Sequence, residues 1–255
     1  MKFIVTGGTG FIGNNIIRQL LKQNHTPIVI DNLYRGKIER ISSLGVEFHK
    51  VDIRDFKQLR NILKNSDGVF HEAALTDVQE SFTKQQEYID VNVKGTENIF
   101  KIAKEFDLKV VYASSSSVYG NPKKIPITEN SERNPINPYG KTKLDDEFLA
   151  EKYSKDNVSI IGLRYFNVYG EGQTGSYAGV ITKFLNRLKE KKYPIIFGTG
   201  TQIRDFIFVE DVALANISAM QSNVKNGFFN IGTGIATSIQ QLAKIMIELS
   251  GLKLE

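Results

Sequence analysis

The alternation of short apolar runs with longer amphipathic segments is the feature of this sequence that most limits its fold. Such alternation indicates βαβ units in a parallel sheet. The predicted buried strands are Lys2–Thr6, Pro27–Ile30, Val46–Val51, Gly68–Phe70, Lys109–Ala113 and Ser159–Leu163. The predicted helices between them are Phe11–Gln23, Phe56–Leu63, Val91–Phe106 and Lys141–Tyr153. The pattern predicts an α/β fold with a doubly wound parallel sheet, which binds ligands at the carboxyl ends of its strands.

A glycine-rich segment, Gly7-Gly8-Thr9-Gly10-Phe11-Ile12-Gly13, joins the first predicted strand to the first helix. Glycines at its first, fourth and seventh positions permit a tight turn, close approach of a pyrophosphate and close packing of the helix on the strand. The helix that follows directs free N–H groups at the phosphates. Its place between a strand and a helix favours a dinucleotide site over a purely structural turn.

An acidic residue ends the second predicted strand. Asp31 lies about 20 residues beyond the glycine-rich segment, where a carboxylate can accept both hydroxyls of an adenosine ribose. A carboxylate there repels a 2′-phosphate, so the sequence favours NAD over NADP. Arg35 and Lys37 follow closely and leave NADP open as the alternative.

Two further strand ends carry candidate cofactor contacts. Asp52 and Ile53 close the third strand, where an acid and an apolar residue could hold adenine. Capping of the next helix by Asp52 or Asp55 is the alternative. The segment His71-Glu72-Ala73-Ala74 follows the fourth strand, and its small residues would let the backbone pass close to a cofactor. Tight packing would explain the same residues.

Tyr139 and Lys143 are four residues apart, which places both side chains on one face of a helix. A tyrosine beside an ammonium group is a candidate for proton transfer, because the cation stabilises the phenolate. Tyr119 and Lys123 share this spacing, but a glycine and a proline between them prevent a regular helix. The four-residue spacing alone therefore does not indicate a catalytic pair, and neighbouring motifs are needed to support that interpretation.

A run of four serines, Ser114–Ser117, follows the fifth strand. Hydroxyl groups at the carboxyl end of a central strand point at the ligand crevice, although serine is also common where a strand passes into a loop. The sequence has no Gly-x-Ser-x-Gly segment, which argues against a serine-nucleophile hydrolase. The following loop to Pro138 would return Tyr139 beside these serines.

Composition excludes several classes of function. The 255 residues contain no cysteine, which excludes disulfides and thiolate chemistry and leads us to expect a reducing, cytoplasmic location. The net charge of +5 is scattered along the chain, so we expect no nucleic-acid partner. The sequence has no apolar run near the roughly 20 residues of a membrane span. The three histidines show no metal-ligand spacing, so we expect no metal.

Taken together, the glycine-rich segment, Asp31, the serine run with its Val-Tyr-Gly ending and the Tyr139/Lys143 pair resemble the extended short-chain dehydrogenase/reductase family. Within it, the chain is most similar to the nucleotide-sugar epimerases of the UDP-glucose 4-epimerase type. The resemblance implies a Rossmann-type NAD-binding domain over 1–166, to which 204–221 returns. It also implies a smaller nucleotide-sugar-binding domain over 167–203 and 222–255.

The resemblance implies a role for each matching residue. The catalytic residues would be Ser115, Tyr139 and Lys143. NAD would contact Gly7, Gly10, Phe11, Ile12, Gly13, Asp31, Asn32, Asp52, Ile53, Ala73, Ala74, Asn92, Tyr139, Lys143 and Tyr165. The UDP-sugar would contact Ser115, Ser116, Asn167, Val180, Gly198, Gln202 and Arg204. Related dehydratases carry acidic residues where this chain has Ser116 and Ser117, which favours an epimerase.

Three segments of the second half carry these substrate contacts. Leu163–Gly170 is similar to the family segment whose asparagine contacts the sugar-nucleotide phosphate, and 177–181 resembles the start of a helix beside the nucleobase. Gly198–Phe206 resembles the strand pair with a diphosphate-binding arginine, here Arg204. Because a guanidinium group can bind phosphate through two hydrogen bonds, the residue type agrees. A salt bridge from Arg204 to Asp205 or Glu210 is the alternative.

Several points leave the substrate open. Family members usually continue beyond the position of Glu255, so we expect the smaller domain to be incomplete at its C-terminal end. Thr76 stands where some relatives have lysine, and Gln85 and Gln86 stand where a proline is frequent. The alternatives are a UDP-N-acetylhexosamine or UDP-glucuronate 4-epimerase, then a dehydratase or reductase, then a non-catalytic NAD-binding protein. The family also leads us to expect a homodimer that functions in galactose metabolism.

Overall fold

The computed structural model describes residues 1–173 and 179–252. The chain divides into two compact units, Met1–Tyr165 with Glu210–Ile231 and Phe166–Val209 with Gly232–Glu255. Residues 222–231 were expected in the smaller domain but lie in the larger unit, because a strand there joins its sheet. Residues 204–209 lie in the smaller unit, where the strand over Phe206–Phe208 pairs with a strand over Asn167–Tyr169.

The regular elements within the described residues alternate along the chain. The strands are β1 (Lys2–Thr6), β2 (Thr26–Asp31), β3 (Glu47–Lys50), β4 (Gly68–His71), β5 (Lys109–Ser115), β6 (Ile160–Tyr165), β7 (Asn167–Tyr169), β8 (Ile203–Arg204), β9 (Phe206–Phe208), β10 (Asn226–Ile231) and β11 (Thr237–Ser238). The α-helices are α1 (Phe11–Lys22), α2 (Phe56–Leu63), α3 (Val78–Thr83), α4 (Gln85–Tyr88), α5 (Gly95–Phe106), α6 (Pro138–Lys155), α7 (Val180–Lys189), α8 (Val209–Gln221) and α9 (Ile239–Ser250). Short helical turns of other pitch cover Ile38–Arg40, Ile89–Lys94 and Ser116–Tyr119.

The larger unit is built on a seven-stranded sheet in the order β3-β2-β1-β4-β5-β6-β10. Every neighbouring pair in it is parallel. The prediction of a doubly wound Rossmann-type α/β fold is therefore confirmed. The strand order reverses between β1 and β4, so the loops after these two strands border the crevice in which such sheets bind ligands.

The helix that carries Tyr139 and Lys143 begins earlier than predicted. The side chain of Asn137 accepts a hydrogen bond from the Gly140 amide at 2.7 Å and caps the N-terminus of α6. Pro138 occupies the first turn, where its missing N–H costs nothing and its fixed φ suits the helix. As a result Tyr139 lies in the first helical turn and not in the preceding loop.

The core of the larger unit lies between the sheet and its helices. Aliphatic side chains from the central strands pack with Phe100, Tyr112 and Tyr153, whose rings contact one another at centroid distances of 5.5 and 5.9 Å. These apolar contacts hold α5 and α6 against the sheet. Among the described residues, no helix is both long enough and apolar enough to cross a membrane.

The smaller unit contains two short strand pairs and two helices. β7 pairs with β9 in parallel, and β11 pairs with β8 in the antiparallel sense. α7 and α9 pack through Phe184, Ile239, Leu242 and Ala243. The side chain of Ser238 accepts from the Gln241 amide and starts α9 with a reciprocal capping box.

Candidate functional site

The glycine-rich segment forms a cradle that side chains would fill. Gly7 has φ +67°, and a Cβ added there would lie 2.8 Å from the Ala73 amide nitrogen. A Cβ at Gly13 would lie 2.4 Å from the Gly7 carbonyl oxygen. No side chain among the described residues caps α1, whose first turn contains Phe11 and Ile12. Bare backbone and uncapped N–H groups fit a dinucleotide pyrophosphate.

Asp31 stands at the end of β2 beside this cradle. The Asp31 carboxylate is buried, with Oδ2 accepting from the Thr9 amide at 3.2 Å and Oδ1 from the Leu33 amide at 2.8 Å. Asn32 also borders the open pocket of about 730 Å³ that Gly7 and Asp31 line. Two backbone hydrogen bonds therefore hold the Asp31 carboxylate at the pocket wall, where a ribose would be bound.

Asp52 faces Arg54 and is absent from the pocket lining among the described residues. Its carboxylate accepts from Nε and Nη2 of Arg54, both at 2.8 Å, and from the Asn32 side chain at 2.9 Å. Mainly because of the Arg54 hydrogen bond, the pKa of Asp52 lies well below its usual range. Asp55, not Asp52, caps α2 by accepting from the Gln58 amide. Ile53 does line the pocket.

The loop after β4 supplies the opposite wall of the pocket. Ala73 and Ala74 line it, as their small size suggested. Asn92, a predicted cofactor contact, is fully buried behind this wall. Its amide bonds both backbone groups of Leu75, at 2.8 and 2.9 Å, and the Thr142 hydroxyl at 3.0 Å. Asn92 therefore joins the loop to α6 and has no capacity left to bind a ligand through its amide N–H groups.

Ser115 is the last residue of β5 at the carboxyl edge of the sheet. Its hydroxyl accepts from the Ser117 amide at 3.1 Å, which fixes the side chain while leaving its proton available. Ser116 begins the short helical turn that follows and is half-buried. Ser114 faces the other way, because successive strand residues alternate, and donates to Glu147 at 2.7 Å.

Lys143 is buried on α6, and its Nζ lies 3.2 Å from Oδ2 of Asp146. Burial works against the ammonium charge, but Asp146, Tyr139 and Glu72 outweigh burial and raise the pKa of Lys143. Tyr139 and Lys143 therefore interact electrostatically, and each charged form favours the other. Among the described residues, the Tyr139 hydroxyl has no hydrogen-bond partner, and only its backbone carbonyl accepts from Thr142. A substrate hydroxyl could therefore bind to the phenol.

The first turn of α6 meets the end of the serine run through main-chain atoms. A Cβ added to Gly140 would lie 2.7 Å from the Ser117 carbonyl oxygen. Only a glycine fits at this point without displacing the backbone of the serine run. The first turn of α6, which carries Tyr139, is therefore packed directly on the segment that follows Ser115.

Glu72 is a site residue that the sequence did not single out. The Tyr165 hydroxyl donates to its Oε1 at 2.9 Å and accepts from the Asn216 amide at 2.7 Å. Burial raises the pKa of Glu72 to about 8, although the Tyr165 hydrogen bond and Lys143 oppose the rise. Tyr165, expected to touch the cofactor, thus holds this carboxyl group. The available signal was an acid directly after a central strand.

Behind the catalytic candidates, Glu147 joins α6 to the sheet. Its carboxylate accepts from Nε and Nη2 of Arg164, both at 2.8 Å, from Ser114, and from Arg133 at 2.9 Å. Glu147 lies four residues after Lys143, so both side chains project from one helix face. Since Ser114 precedes Ser115, this network fixes the end of β5 relative to α6.

The predicted substrate contacts of the smaller unit lie in several separate elements. Asn167 donates from its backbone and its side chain to the Asp205 carbonyl, both at 3.0 Å. The Arg204 side chain is exposed and, among the described residues, forms no ion pair, while Asp205 bonds residues 233 and 234 instead. The structure thus gives no support to the alternative of an Arg204 salt bridge.

The remaining candidates of this unit are placed as follows. Val180 begins α7 and packs on the small core, Gly198 has φ +70° with open space around it, and the exposed Gln202 side chain reaches the Phe197 carbonyl. Tyr177 and Ala178, part of the predicted nucleobase segment, lie outside the described residues.

Comparison with known proteins agrees with this geometry. Residues 3–232 match the model of the NAD dependent epimerase/dehydratase family. The chain is 41% identical over 248 residues to a provisionally assigned UDP-glucose 4-epimerase of Methanocaldococcus jannaschii, covering 95% of this chain and 80% of that protein.

Two solved structures superpose closely on the chain. One is a UDP-glucose 4-epimerase of Thermotoga maritima with UDP-glucose, with TM-score 0.94 and 33% identity, covering 100% of this chain and 84% of that one. The other is a UDP-N-acetylglucosamine 4-epimerase of Methanobrevibacter ruminantium with UDP-N-acetylmuramic acid, with TM-score 0.95 and 33% identity, covering 99% and 83%. The predicted resemblance is confirmed, and the chain belongs to the NAD dependent epimerase/dehydratase family of enzymes.

Proposed function

We propose that this chain catalyses the NAD-dependent 4-epimerisation of a UDP-hexose, interconverting UDP-glucose and UDP-galactose through a transient 4-keto sugar. The observation that carries the proposal is the pairing of Tyr139 with Lys143. The two side chains are four residues apart on one face of α6, and a Tyr139 phenolate and the buried Lys143 ammonium group would stabilise each other. A phenol beside a fixed ammonium group is suited to take a proton from a sugar hydroxyl and return it.

Each catalytic candidate has a distinct part in this reaction. Tyr139, as phenolate, removes the proton of the sugar 4-hydroxyl and holds it during the lifetime of the keto sugar. Ser115 donates a hydrogen bond to the reacting oxygen, since its own acceptor position already binds the Ser117 amide. Lys143 stabilises the phenolate. Bound NAD supplies a hydride acceptor at C4 that later gives the hydride back, so no net oxidation results.

The glycine cradle and Asp31 support NAD as the resident cofactor. The cradle has no side chain to exclude a pyrophosphate, and the Asp31 carboxylate is positioned to accept ribose hydroxyls. For the sugar nucleotide, the exposed guanidinium group of Arg204 and the Asn167 side chain are candidate diphosphate contacts in the smaller unit.

A Tyr139→Phe variant tests the proposed chemistry. Because the variant lacks the proton-transfer group, we expect interconversion of UDP-glucose and UDP-galactose, followed by NMR, to fall at least about 100-fold. Tyr153→Phe is the matched control on the same helix, since its hydroxyl contacts Glu97 and not the site. Near-normal turnover by Tyr139→Phe, or an absolute need for stoichiometric NAD with build-up of NADH, would contradict the proposal.

A UDP-N-acetylhexosamine is the second candidate substrate. The likeness to the Methanobrevibacter ruminantium UDP-N-acetylglucosamine 4-epimerase favours it. Incubation with UDP-glucose, UDP-galactose, their N-acetyl analogues and UDP-glucuronate separates the candidates by comparing kcat/KM. Interconversion of none of them, with NAD still bound, would instead indicate a non-catalytic NAD-binding protein.

We further propose that the enzyme is a cytoplasmic homodimer. The candidate interface faces lie on α5 and α6, where Phe148 is half exposed. Light scattering of the purified protein measures the mass directly. A monomer at micromolar concentration would contradict the dimer.

A further inference from the structure

Two residues with opposite preferences border the ribose end of the pocket. Asp31 presents a carboxylate there, and Arg35 lines the same pocket. The backbone directly after Arg35 passes close to Asp31, since a Cβ added to Gly36 would lie 3.0 Å from Oδ2 of Asp31. An acid at this strand end favours NAD, whereas an arginine nearby accommodates the 2′-phosphate of NADP. The preference for NAD or NADP therefore depends on which of the two side chains is available to the ribose.

The Arg35 guanidinium group already has a carboxylate partner. Its Nη2 donates to Oε2 of Glu80, which projects from α3. The two side chains are only 22% and 19% exposed, so water screens the pair less than it screens a surface pair. A phosphate would therefore compete with Glu80 for Nη2 of Arg35.

Glu80 is itself held in place by its neighbours. Lys84 donates to its Oε1 at 2.9 Å, and the Tyr88 hydroxyl shares its proton between the Asp77 carbonyl at 2.7 Å and Oε2 of Glu80 at 3.2 Å. The Lys84 hydrogen bond, with help from Arg35 and Tyr88, lowers the pKa of Glu80 despite the opposing effect of burial. The carboxylate is therefore charged at neutral pH and fixed in position beside Arg35.

The other arginine of the pocket wall has a similar partner. Arg54 bonds Asp52 through two nitrogens. The Asp31 carboxylate, by contrast, is held by the backbone amides of Thr9 and Leu33. The Lys37 side chain is exposed and is not part of the pocket lining among the described residues. Within the part of the chain that the structure describes, Asp31 is thus a pocket carboxylate that forms no ion pair.

We propose that Glu80 is a specificity-determining residue for the dinucleotide. By binding Arg35, Glu80 keeps the guanidinium group from a 2′-phosphate, so that the Asp31 carboxylate determines the preference for NAD over NADP. The inference rests on the proposed NAD-dependent function and adds to it the residue that suppresses NADP. Arg35 is then a potential phosphate site that Glu80 blocks, and loss of the Glu80 charge would open it.

Direct binding to the full chain, freed of nucleotide, tests the proposal without any sugar. Calorimetric titrations with NAD⁺ and NADP⁺ give the ratio of the two dissociation constants, and adenosine 2′,5′-bisphosphate probes the ribose end alone. In Glu80→Gln, the Arg35 guanidinium group loses its carboxylate partner and can form charged hydrogen bonds to phosphate. We expect the ratio to shift at least about 10-fold towards NADP⁺. We expect the bisphosphate to bind more tightly by a similar factor.

Glu87→Gln is the matched control. Glu87 lines the same pocket and the variant loses the same charge, but its partner is Lys84 and not Arg35. We expect its ratio to stay within about twofold of the wild type. The double variant Arg35→Gln/Glu80→Gln should return to the wild-type ratio. An unchanged ratio in Glu80→Gln, an equal shift in Glu87→Gln, or a persistent shift in the double variant would each overturn the proposal.

Arg35→Gln alone gives a test that does not depend on the folding of Glu80→Gln. If Glu80 already blocks Arg35, NADP⁺ affinity should change little. A large loss would mean that Arg35 binds phosphate in the presence of Glu80, which overturns the inference. Binding of neither dinucleotide by the wild type would overturn the proposed cofactor and this inference together, whereas NAD⁺ binding with an unchanged ratio removes the inference alone.

Discussion

The hydroxyl of Tyr165, at the end of β6, donates a 2.9 Å hydrogen bond to the carboxyl group of Glu72, which directly follows β4. Burial raises the pKa of Glu72 to about 8 from the 4.5 of a free glutamate. Between these two values the folded protein keeps a proton that the unfolded chain loses. Folding stability therefore falls as pH rises through this interval.

Glu72→Gln removes this pH dependence, because glutamine cannot ionise. We expect the variant to gain stability relative to the wild type between pH 5 and pH 8.5, by on the order of 2 kcal/mol after allowance for solvent at the pocket. Urea unfolding at both pH values measures the difference. Glu87→Gln from the same pocket is the control, and an identical wild-type-to-variant difference at both pH values would refute the assignment.

Asp146→Asn should weaken the fold through Lys143. Both side chains are buried, and loss of the carboxylate leaves the ammonium group with less compensation. We expect a loss of about 3 kcal/mol in the free energy of unfolding. Asp145→Asn makes the same chemical change one residue earlier, where no ion pair forms among the described residues, and should cost less than about 1 kcal/mol. Equal effects of the two variants would argue against a stabilising pair.

Gly7→Ala should affect both stability and NAD binding. Gly7 and Gly45 have nearly the same positive φ, +67° and +64°, but a Cβ would meet the Ala73 backbone only at Gly7, since nothing lies within 4 Å at Gly45. Gly45→Ala therefore carries only the backbone cost of about 1–2 kcal/mol. Thermal unfolding should show a larger loss for Gly7→Ala, and titration should show at least about 10-fold weaker NAD binding. Similar results for both variants would mean that the close approach of the Gly7 and Ala73 backbones does not affect stability or NAD binding.

Glu147→Gln should be among the most damaging single changes in α6. The carboxylate is fully buried and accepts hydrogen bonds from Arg164, Arg133 and Ser114. An amide would turn a donor towards guanidinium groups, so we expect a loss of about 3–5 kcal/mol in the free energy of unfolding. Glu151→Gln also loses a contact with Arg133, but Glu151 is only half-buried, so this variant should cost at most about 1 kcal/mol. Chemical denaturation separates these outcomes.

Local patterns were enough to predict six strands of the large sheet and the glycine cradle. β10 escaped prediction because the sequence Asn226–Ile231 begins with an asparagine and a glycine and forms an edge strand that is only half-buried. Its place in the sheet depends on pairing with β6, about 66 residues earlier in the chain. A local pattern over a few residues does not report such pairing between strands that are far apart in the sequence.

The candidate site divides in a similar way. Tyr139, Lys143 and Asp31 stood out because each carries a spacing with a chemical meaning. Glu72 and Glu80 did not, since their importance comes from partners far away in sequence, Tyr165 and Arg35. A carboxylate that receives a distant donor looks like any surface acid until the fold places the donor beside it.

The close contact of Gly140 with the Ser117 carbonyl has a consequence for how related sequences can diverge. At this point main-chain atoms on both sides set the spacing between the first turn of α6 and the segment after Ser115, while the buried Glu147 side chain ties a later turn of the helix to Ser114. Substitutions on the exposed face of α6 can accumulate without moving these two hydroxyl groups apart. By contrast, a single methyl group added at position 140 would press on the Ser117 carbonyl and force the two segments apart.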